Sequence, residues 1–315
     1  MSDKTAIQWT NATWNPVTGC THVSPGCDHC YAERLMPRLR GSKDFSVELY
    51  PDRLEQPLHW RKPRRIFVNS LSDLWHRDIP DQFIAAVFGV MALCPQHTFQ
   101  ILTKRPDRAE EWFKDLAGNI ADCLASAAVE RPDVYRKPLG KEEARAIVDL
   151  GWPLPNVWVG VSAENQAMAK ARLPVLARIP AAVRFVSAEP LLERLDLDLQ
   201  GVGWLIVGGE SGPQARPCNV AWIRDVVRQC WEAGVACFVK QLGSCVVGES
   251  GHDWYLRDSH GGNPAEWPED RRGMDGPKPC TRGVAAVAAP SSLTTTATRA
   301  APCAPGATAP RTSRA

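Results

Sequence analysis

From residue 66 onward the chain repeats one phrase: a short run of consecutive apolar residues, a few polar ones, then a stretch with helical spacing. "RIFVNSLSD" precedes "DQFIAAVFGVMALC", "TFQILTKRP" precedes "DRAEEWFKDLA", and "NVWVGVSAEN" precedes "QAMAKARLPVLARI". "VRFVSAEPL" follows with a short connection, then "GWLIVGGESG" with "VAWIRDVVRQCWEAG", and "ACFVKQLGS" comes last. Apolar residues on successive rather than alternating positions suit parallel strands covered on both faces. Strand–helix alternation predicts an α/β domain with right-handed crossovers. A further strand around "AIQW" or "ATWNPV" gives about seven units, close to a barrel of ~250 residues. The expected fold is therefore α/β, a parallel βα barrel of the TIM type, complete or partial. An open doubly wound sheet would share the local pattern.

Every unit ends alike. Asn69 and Ser70, Thr103 and Lys104, Ser162 and Glu164, Ser187 and Glu189, Glu210, and Lys240 with Gln241 each follow the apolar part of a strand. In a βα barrel those ends converge on one rim, where active sites are built. Polarity must resume somewhere after any strand, but six such endings in series favour a polar pocket over a set of unrelated loop starts. The barrel is expected over residues 1–245, with a charged insertion at about 114–155 that breaks the rhythm and is partly helical at "KEEARAIVDL". Residues 246–275, polar and aromatic, read as a short cap. Residues 276–315, built from Ala, Pro, Thr, Ser and Arg, read as a disordered low-complexity tail.

Composition changes this picture little until the cysteines are placed. Apolar residues make up 44% and charged residues 23%, with a formal net charge of +2, values of an ordinary globular protein. No apolar run approaches membrane-spanning length and no signal peptide opens the chain, so a cytoplasmic protein with reduced thiols and no membrane association is expected. Of eleven cysteines, Cys94, Cys123, Cys230 and Cys237 lie among apolar neighbours and read as small buried hydrophobes. Cys20, Cys27 and Cys30 lie instead among the turn formers Gly19, Ser24, Pro25 and Gly26, which points to a metal. Two residues separate Cys27 from Cys30, the gap of zinc knuckles and iron–sulfur loops. Zinc wants four ligands, and His22 or His29 could supply the fourth. A [4Fe-4S] cluster needs only three thiolates if an exogenous ligand takes the last iron, as in radical enzymes that use S-adenosylmethionine. A loop directly after the first barrel strand sits on the catalytic rim, which favours the cluster. Six residues between Cys20 and Cys27, where the common radical-enzyme motif has three, keep zinc open.

Several long blocks carry a resemblance. "WTNATWNPVTGCTHVSPGCDHCYAERL", "FVNSLSDLWH", "FQILTKRP", "NVWVGVSAENQ", "RFVSAEPLL", "LIVGGESG", "FVKQLG" and "GGNPAEWPED" occur in the order found in an uncharacterised phage protein family named after gene products thirty-seven and sixty-eight, also called three-Cys-motif proteins. That family resembles a divergent branch of the radical S-adenosylmethionine fold, and its members can be encoded beside a dedicated partner protein. The resemblance implies metal ligation by Cys20, Cys27 and Cys30, followed by Tyr31. Its other blocks fall on Asn69, Ser70 and Asp73, on Thr103, Lys104 and Arg105, on Glu164 and Asn165, on Glu189, on Gly208, Gly209 and Glu210, and on Lys240. By charge and rim position, Glu164, Glu189 and Glu210 could bind ribose or amino groups of S-adenosylmethionine, and Lys104, Arg105 and Lys240 a carboxylate or phosphate. Gly208 and Gly209 would allow close backbone approach to a ligand. An ion-pair network that stiffens the barrel mouth is the competing reading for each of these residues. A radical enzyme would also need an electron donor such as flavodoxin or ferredoxin.

The expected function is thus a radical enzyme on an unknown substrate, a nucleic-acid base among the candidates. The alternative is a zinc-stabilised binding module without catalysis. Twelve tryptophans invite a nucleic-acid reading, but Trp9, Trp14, Trp75 and Trp112 fall in or beside packed elements, and nothing in the linear sequence reads bases. The basic run "WRKPRR" at Trp60–Arg65 serves equally as a solvated strand entry. Beyond about Arg272 the chain departs from the family and reads as translation in a shifted frame.

Overall fold

The computed structural model describes residues 5–115, 123, 152–248, 253–254 and 256–267. Seven parallel strands form its centre: β1 (Ala12–Trp14), β4 (Arg65–Val68), β5 (Thr98–Thr103), β6 (Val157–Ser162), β7 (Val183–Ala188), β8 (Trp204–Gly208) and β10 (Ala236–Gln241). They pair in that order, and the edge strands β1 and β10 do not pair with each other, so the sheet is a half-barrel. Its curl is visible in Trp9. This residue precedes edge strand β1, yet its ring lies 4.7 Å from Phe67 on β4 and 5.9 Å from Trp204 on β8.

The strands are apolar on both sides for two different reasons. Outward residues such as Ile66, Val68, Ile101, Val159, Val161, Val186, Leu205 and Val207 pack into the large core beneath the helices. Inward residues Phe67, Trp158, Phe185, Trp204 and Ile206 form a separate aromatic cluster with Trp9 on the concave face. Side chains alternate along a strand, so the strands from β4 to β10 in this sheet serve both clusters at once. Gly160 belongs to this packing: a Cβ there would lie 2.5 Å from the Phe185 ring.

Among the described residues, four helices cover the outer face: α2 (Asp81–Ala92), α3 (Pro106–Asp115), α4 (Gln166–Arg178) and α5 (Val220–Glu232). Helix α2 is buried from Phe83 to Ala92, because an aromatic group closes over the side that the sheet leaves free. In that group Phe88 lies 4.7 Å from Trp112, 5.6 Å from Phe113 and 5.9 Å from Trp152. Asn165 and Asn219 cap α4 and α5 by accepting backbone N–H bonds from Met168 and Ala221. β7 runs to β8 without an intervening helix, as the short connection predicts.

Small elements complete the fold. β2 (Val17–Thr18) pairs with β3 (Glu48–Leu49), and helix α1 (Tyr31–Leu39) follows the cysteine loop. A second small sheet joins β9 (Cys218–Asn219), β11 (Val246–Val247) and β12 (Asp253–Trp254). The described part of the expected cap docks on the end of β10, where Leu242 donates its N–H to the Gly261 carbonyl at 2.9 Å. Trp9, Trp14, Trp75 and Trp112 are buried, as are Cys94, Cys123 and Cys230, whereas Cys237 is only half-buried. Most of the expected insertion, and the whole tail 276–315, lie outside the described residues. No helix among the described residues is long and apolar enough to cross a membrane.

Candidate functional site

The loop from Gly19 to Cys30 lies across the C-terminal ends of the central strands and is tied to those of β4, β5, β6 and β8. Gly19 donates its N–H to the Leu71 carbonyl just past β4, at 3.0 Å. From the end of β5, Arg105 Nη1 reaches Cys20 Sγ at 3.4 Å, and Nη2 reaches the Thr21 carbonyl and hydroxyl at 2.9 and 3.0 Å. Beyond β6, Glu164 accepts the Gly26 N–H at 3.2 Å. Beyond β8, Glu210 meets His29 at 3.0 Å, and Arg216 donates to the Pro25 carbonyl at 2.8 Å and to Asp28 at 3.2 Å. A short 3-10 turn at Pro25–Cys27 and the start of α1 at Tyr31 place Cys27 and Cys30 on this lid, and the Tyr31 hydroxyl donates to the Ser70 carbonyl.

The acidic rim residues are each paired. Asp73 is buried and accepts from Thr103 Oγ1 (2.7 Å), Lys104 N (2.9 Å), Arg105 Nη1 (3.1 Å) and Trp75 N (3.1 Å). Glu164 is fully buried against Arg172 at 2.9 Å; burial alone would raise its pKa, but Arg172 and its hydrogen bonds hold it below the usual range. Glu189 meets Lys240 at 2.6 Å. Glu210 takes three bonds from Arg216, at 2.7 to 2.9 Å. The strand ends therefore do converge on one rim, and in this structure each of these carboxylates is paired with an arginine or a lysine.

Other expected positions take definite places. Ser70 shares hydrogen bonds with the Asn15 carboxamide. Asn69 is 3% exposed and adopts φ 56°, a left-handed conformation that asparagine tolerates. Lys240 sits in a β-bulge, where the β10–β8 register slips between Val239 and Gln241. At Gly209 the close approach is made by the chain itself, since a Cβ would lie 2.1 Å from the Leu242 carbonyl oxygen. Gly208 faces the backbone of Gln241 in the same way, at 3.0 Å.

Arg172 and Arg216, which hold the lid through Glu164, Glu210 and Pro25, are the functional residues the sequence reading missed. Arg216 lies six residues after Glu210 in a Gly- and Pro-containing turn, the one local signal that marks it. A cleft of about 330 Å³ opens beside the lid between α1 and the loop after β8, lined by Asp28, His29, Cys30, Arg34, Lys43 and Gln214.

Cys20, Cys27 and Cys30 are free thiols, each partly exposed. Burial and Asp73 push the Cys20 thiol up, and Arg105 partly opposes them. No three His, Cys, Asp or Glu side chains among the described residues converge closely enough to hold one metal ion. A tetrahedral zinc needs all its sulfurs ~2.3 Å from a single point. A four-iron cluster takes each thiolate on a different iron, and three thiols on one loop are its donor set. His22 and His29 are engaged with Glu33 and Glu210.

Glu210 also makes a test of the lid's electrostatics. Burial raises its pKa, but the bonds from Arg216 outweigh that and bring it down to about 2, against an ordinary 4.5. Its contribution to stability is complete above about pH 4.5 and is lost as pH falls toward 2. Chemical denaturation between pH 6 and pH 3 should therefore show stability falling with acid, and Glu210→Gln should flatten that fall. An unchanged slope in the variant would remove Glu210 from the acid response.

The fold and the site together define an α/β half-barrel protein with a three-cysteine lid over the C-terminal ends of its strands. Residues 4–282 match the family described as protein of unknown function DUF5131, and the chain belongs to that family. No curated protein and no solved structure matches it.

Proposed function

We propose that this protein is a radical enzyme that binds S-adenosylmethionine and a [4Fe-4S] cluster, the cluster held by Cys20, Cys27 and Cys30. The observation that carries the reading is the docking of the cysteine loop over the ends of β4, β5, β6 and β8, where the strand-end polar groups meet. When bound, the cluster supplies one electron to split the carbon–sulfur bond of the sulfonium and so start hydrogen abstraction. The chain's own residues do the positioning. Arg105 places a cation beside Cys20 and offsets thiolate charge. Glu164 and Glu210 hold the lid through Gly26 and His29. Ser70 and Lys104, with the half-buried Glu189–Lys240 pair, line the rim as candidate contacts to the cofactor. The electron comes from a donor of the flavodoxin or ferredoxin kind, in a reducing cytoplasm.

The test is anaerobic purification and reconstitution with iron and sulfide, followed by metal analysis and reduced electron-spin spectra with and without S-adenosylmethionine. About four irons per chain and a spectrum altered by the cofactor are expected. Stoichiometric zinc with no cluster would overturn the reading in favour of a zinc-stabilised binding module.

A further inference from the structure

The concave face of the half-barrel and the end of β4 carry buried polar atoms that nothing in the described structure satisfies. Both carboxamide atoms of Asn69, both of Gln100, the hydroxyl of Ser162 and the indole N–H of Trp158 have no hydrogen-bond partner among the described residues. Asn69 is 3% exposed, Gln100 0%, Ser162 1% and Trp158 3%. Native structures rarely leave such groups unmet, and several on one face ask for a ligand or water.

The strand registers place them together. One row across the sheet reads Phe67, Gln100, Trp158, Val183. The next reads Leu102, Gly160, Phe185, Trp204, and Asn69 stands two residues beyond Phe67 at the end of β4. The third reads Ser162, Ser187, Ile206, Phe238. None of these residues is charged; of the charges that follow them toward the rim, Glu164 is paired with Arg172 and Glu189 with Lys240, and Lys104 stands two residues beyond Leu102. On β10 the inner residues Ala236, Phe238 and Lys240 are only half-buried, which leaves the open edge of the half-barrel as a way in.

The face itself holds no charge, so a charged group of a ligand would be met only at the rim, by Lys104, and a purely apolar ligand would leave two carboxamides unmet. Each carboxamide offers a donor beside an acceptor, the arrangement that pairs with the edge of a nucleobase. The surrounding Phe67, Trp158, Phe185 and Trp204 offer the apolar, stacking surroundings that a planar base takes. We propose that the concave face binds a nucleobase, with Gln100 and Asn69 reading its edge and Ser162 giving a further hydrogen bond. That the base is the substrate rests on the radical-enzyme reading above; that it binds does not.

The experiment uses the full chain without iron reconstitution, so a failure of the cluster reading leaves it unaffected. Adenosine, guanosine, cytidine and thymidine are titrated against the wild type, Gln100→Leu and Ser162→Ala, and melting temperatures are recorded. At least one nucleoside should bind saturably. Gln100→Leu should weaken it about tenfold or more, the scale of one bidentate amide–base contact. The same variant should melt no lower than the wild type, because it removes two unmet polar atoms from an apolar setting. No binding by the wild type would assign the unmet atoms to buried waters and overturn the proposal. Equal binding by both variants would overturn it too. Displacement of the nucleoside by S-adenosylmethionine would make the site the cofactor's own adenine pocket, and the substrate assignment would fall.

Discussion

Glu164→Ala is expected to cost about 3–5 kcal/mol, the usual result of removing one partner from a buried ion pair. Glu164 has no exposed surface, and the side chain of Arg172 is 5% exposed. Without the carboxylate, Arg172 keeps the Ser162 carbonyl at 3.0 Å, but its charge is left uncompensated in the core. The loss also frees the Gly26 N–H, one of the ties that hold the cysteine lid. In a chain of this size the change corresponds to a fall of roughly 10 °C in melting temperature. Two further variants separate charge from fold. Glu164→Gln keeps one accepting oxygen, for Arg172 or for the Gly26 N–H but not both, and should lose less than the alanine variant. Adding Arg172→Met to Glu164→Ala should recover part of the loss, because no orphan charge remains. A Glu164→Ala protein within 1 kcal/mol of the wild type by urea denaturation would show that the pair does not hold the lid.

That experiment bears on how much of this protein can be read before it is folded. The strands from β4 to β10 were legible because parallel strands buried on both faces write themselves as runs such as "IFV", "VWVGV" and "LIVG". The rim was legible for the same reason in reverse, since polar residues resume at strand ends that a βα topology gathers together. The same runs hide which face each residue occupies. Gln100, inside "TFQILT", reads as one polar interruption of a strand, and only the register with Phe67 and Trp158 puts it on the concave face. The ion-pair partners were illegible because they are set by three-dimensional proximity. Glu164 finds Arg172 one helix face away, and Arg105 reaches back 85 positions to Cys20. The sequence offers both rim readings, cofactor contacts and a stiffening network. The structure displays the network directly, through Asp73–Arg105, Glu164–Arg172, Glu189–Lys240 and Glu210–Arg216.

Gly19→Ala should be the substitution that most directly couples stability to the three-cysteine site. Gly19 has φ +89°, where side chains are strained, and a Cβ would lie 1.9 Å from the Ser46 carbonyl oxygen. Backbone strain of this kind costs about 1–3 kcal/mol, and overpacking against a fixed group about 1–3 more, so about 3–4 kcal/mol is expected. The obstruction is backbone, and the neighbouring residue Cys20 donates its N–H to Phe45 at 3.0 Å, so Ser46 cannot retreat without carrying the Cys20 anchor with it. Iron uptake on reconstitution should therefore fall together with stability. Gly41→Ala supplies the control, because Gly41 also has positive φ (+68°) but no atom within 4 Å of a Cβ. It bears the conformational strain without the collision, so it should cost about 1–2 kcal/mol and leave iron uptake unchanged. If Gly19→Ala and Gly41→Ala lose the same stability and bind the same iron, the close approach at Ser46 does not position Cys20, and the lid is set by its ties to Arg105, Glu164 and Glu210 alone.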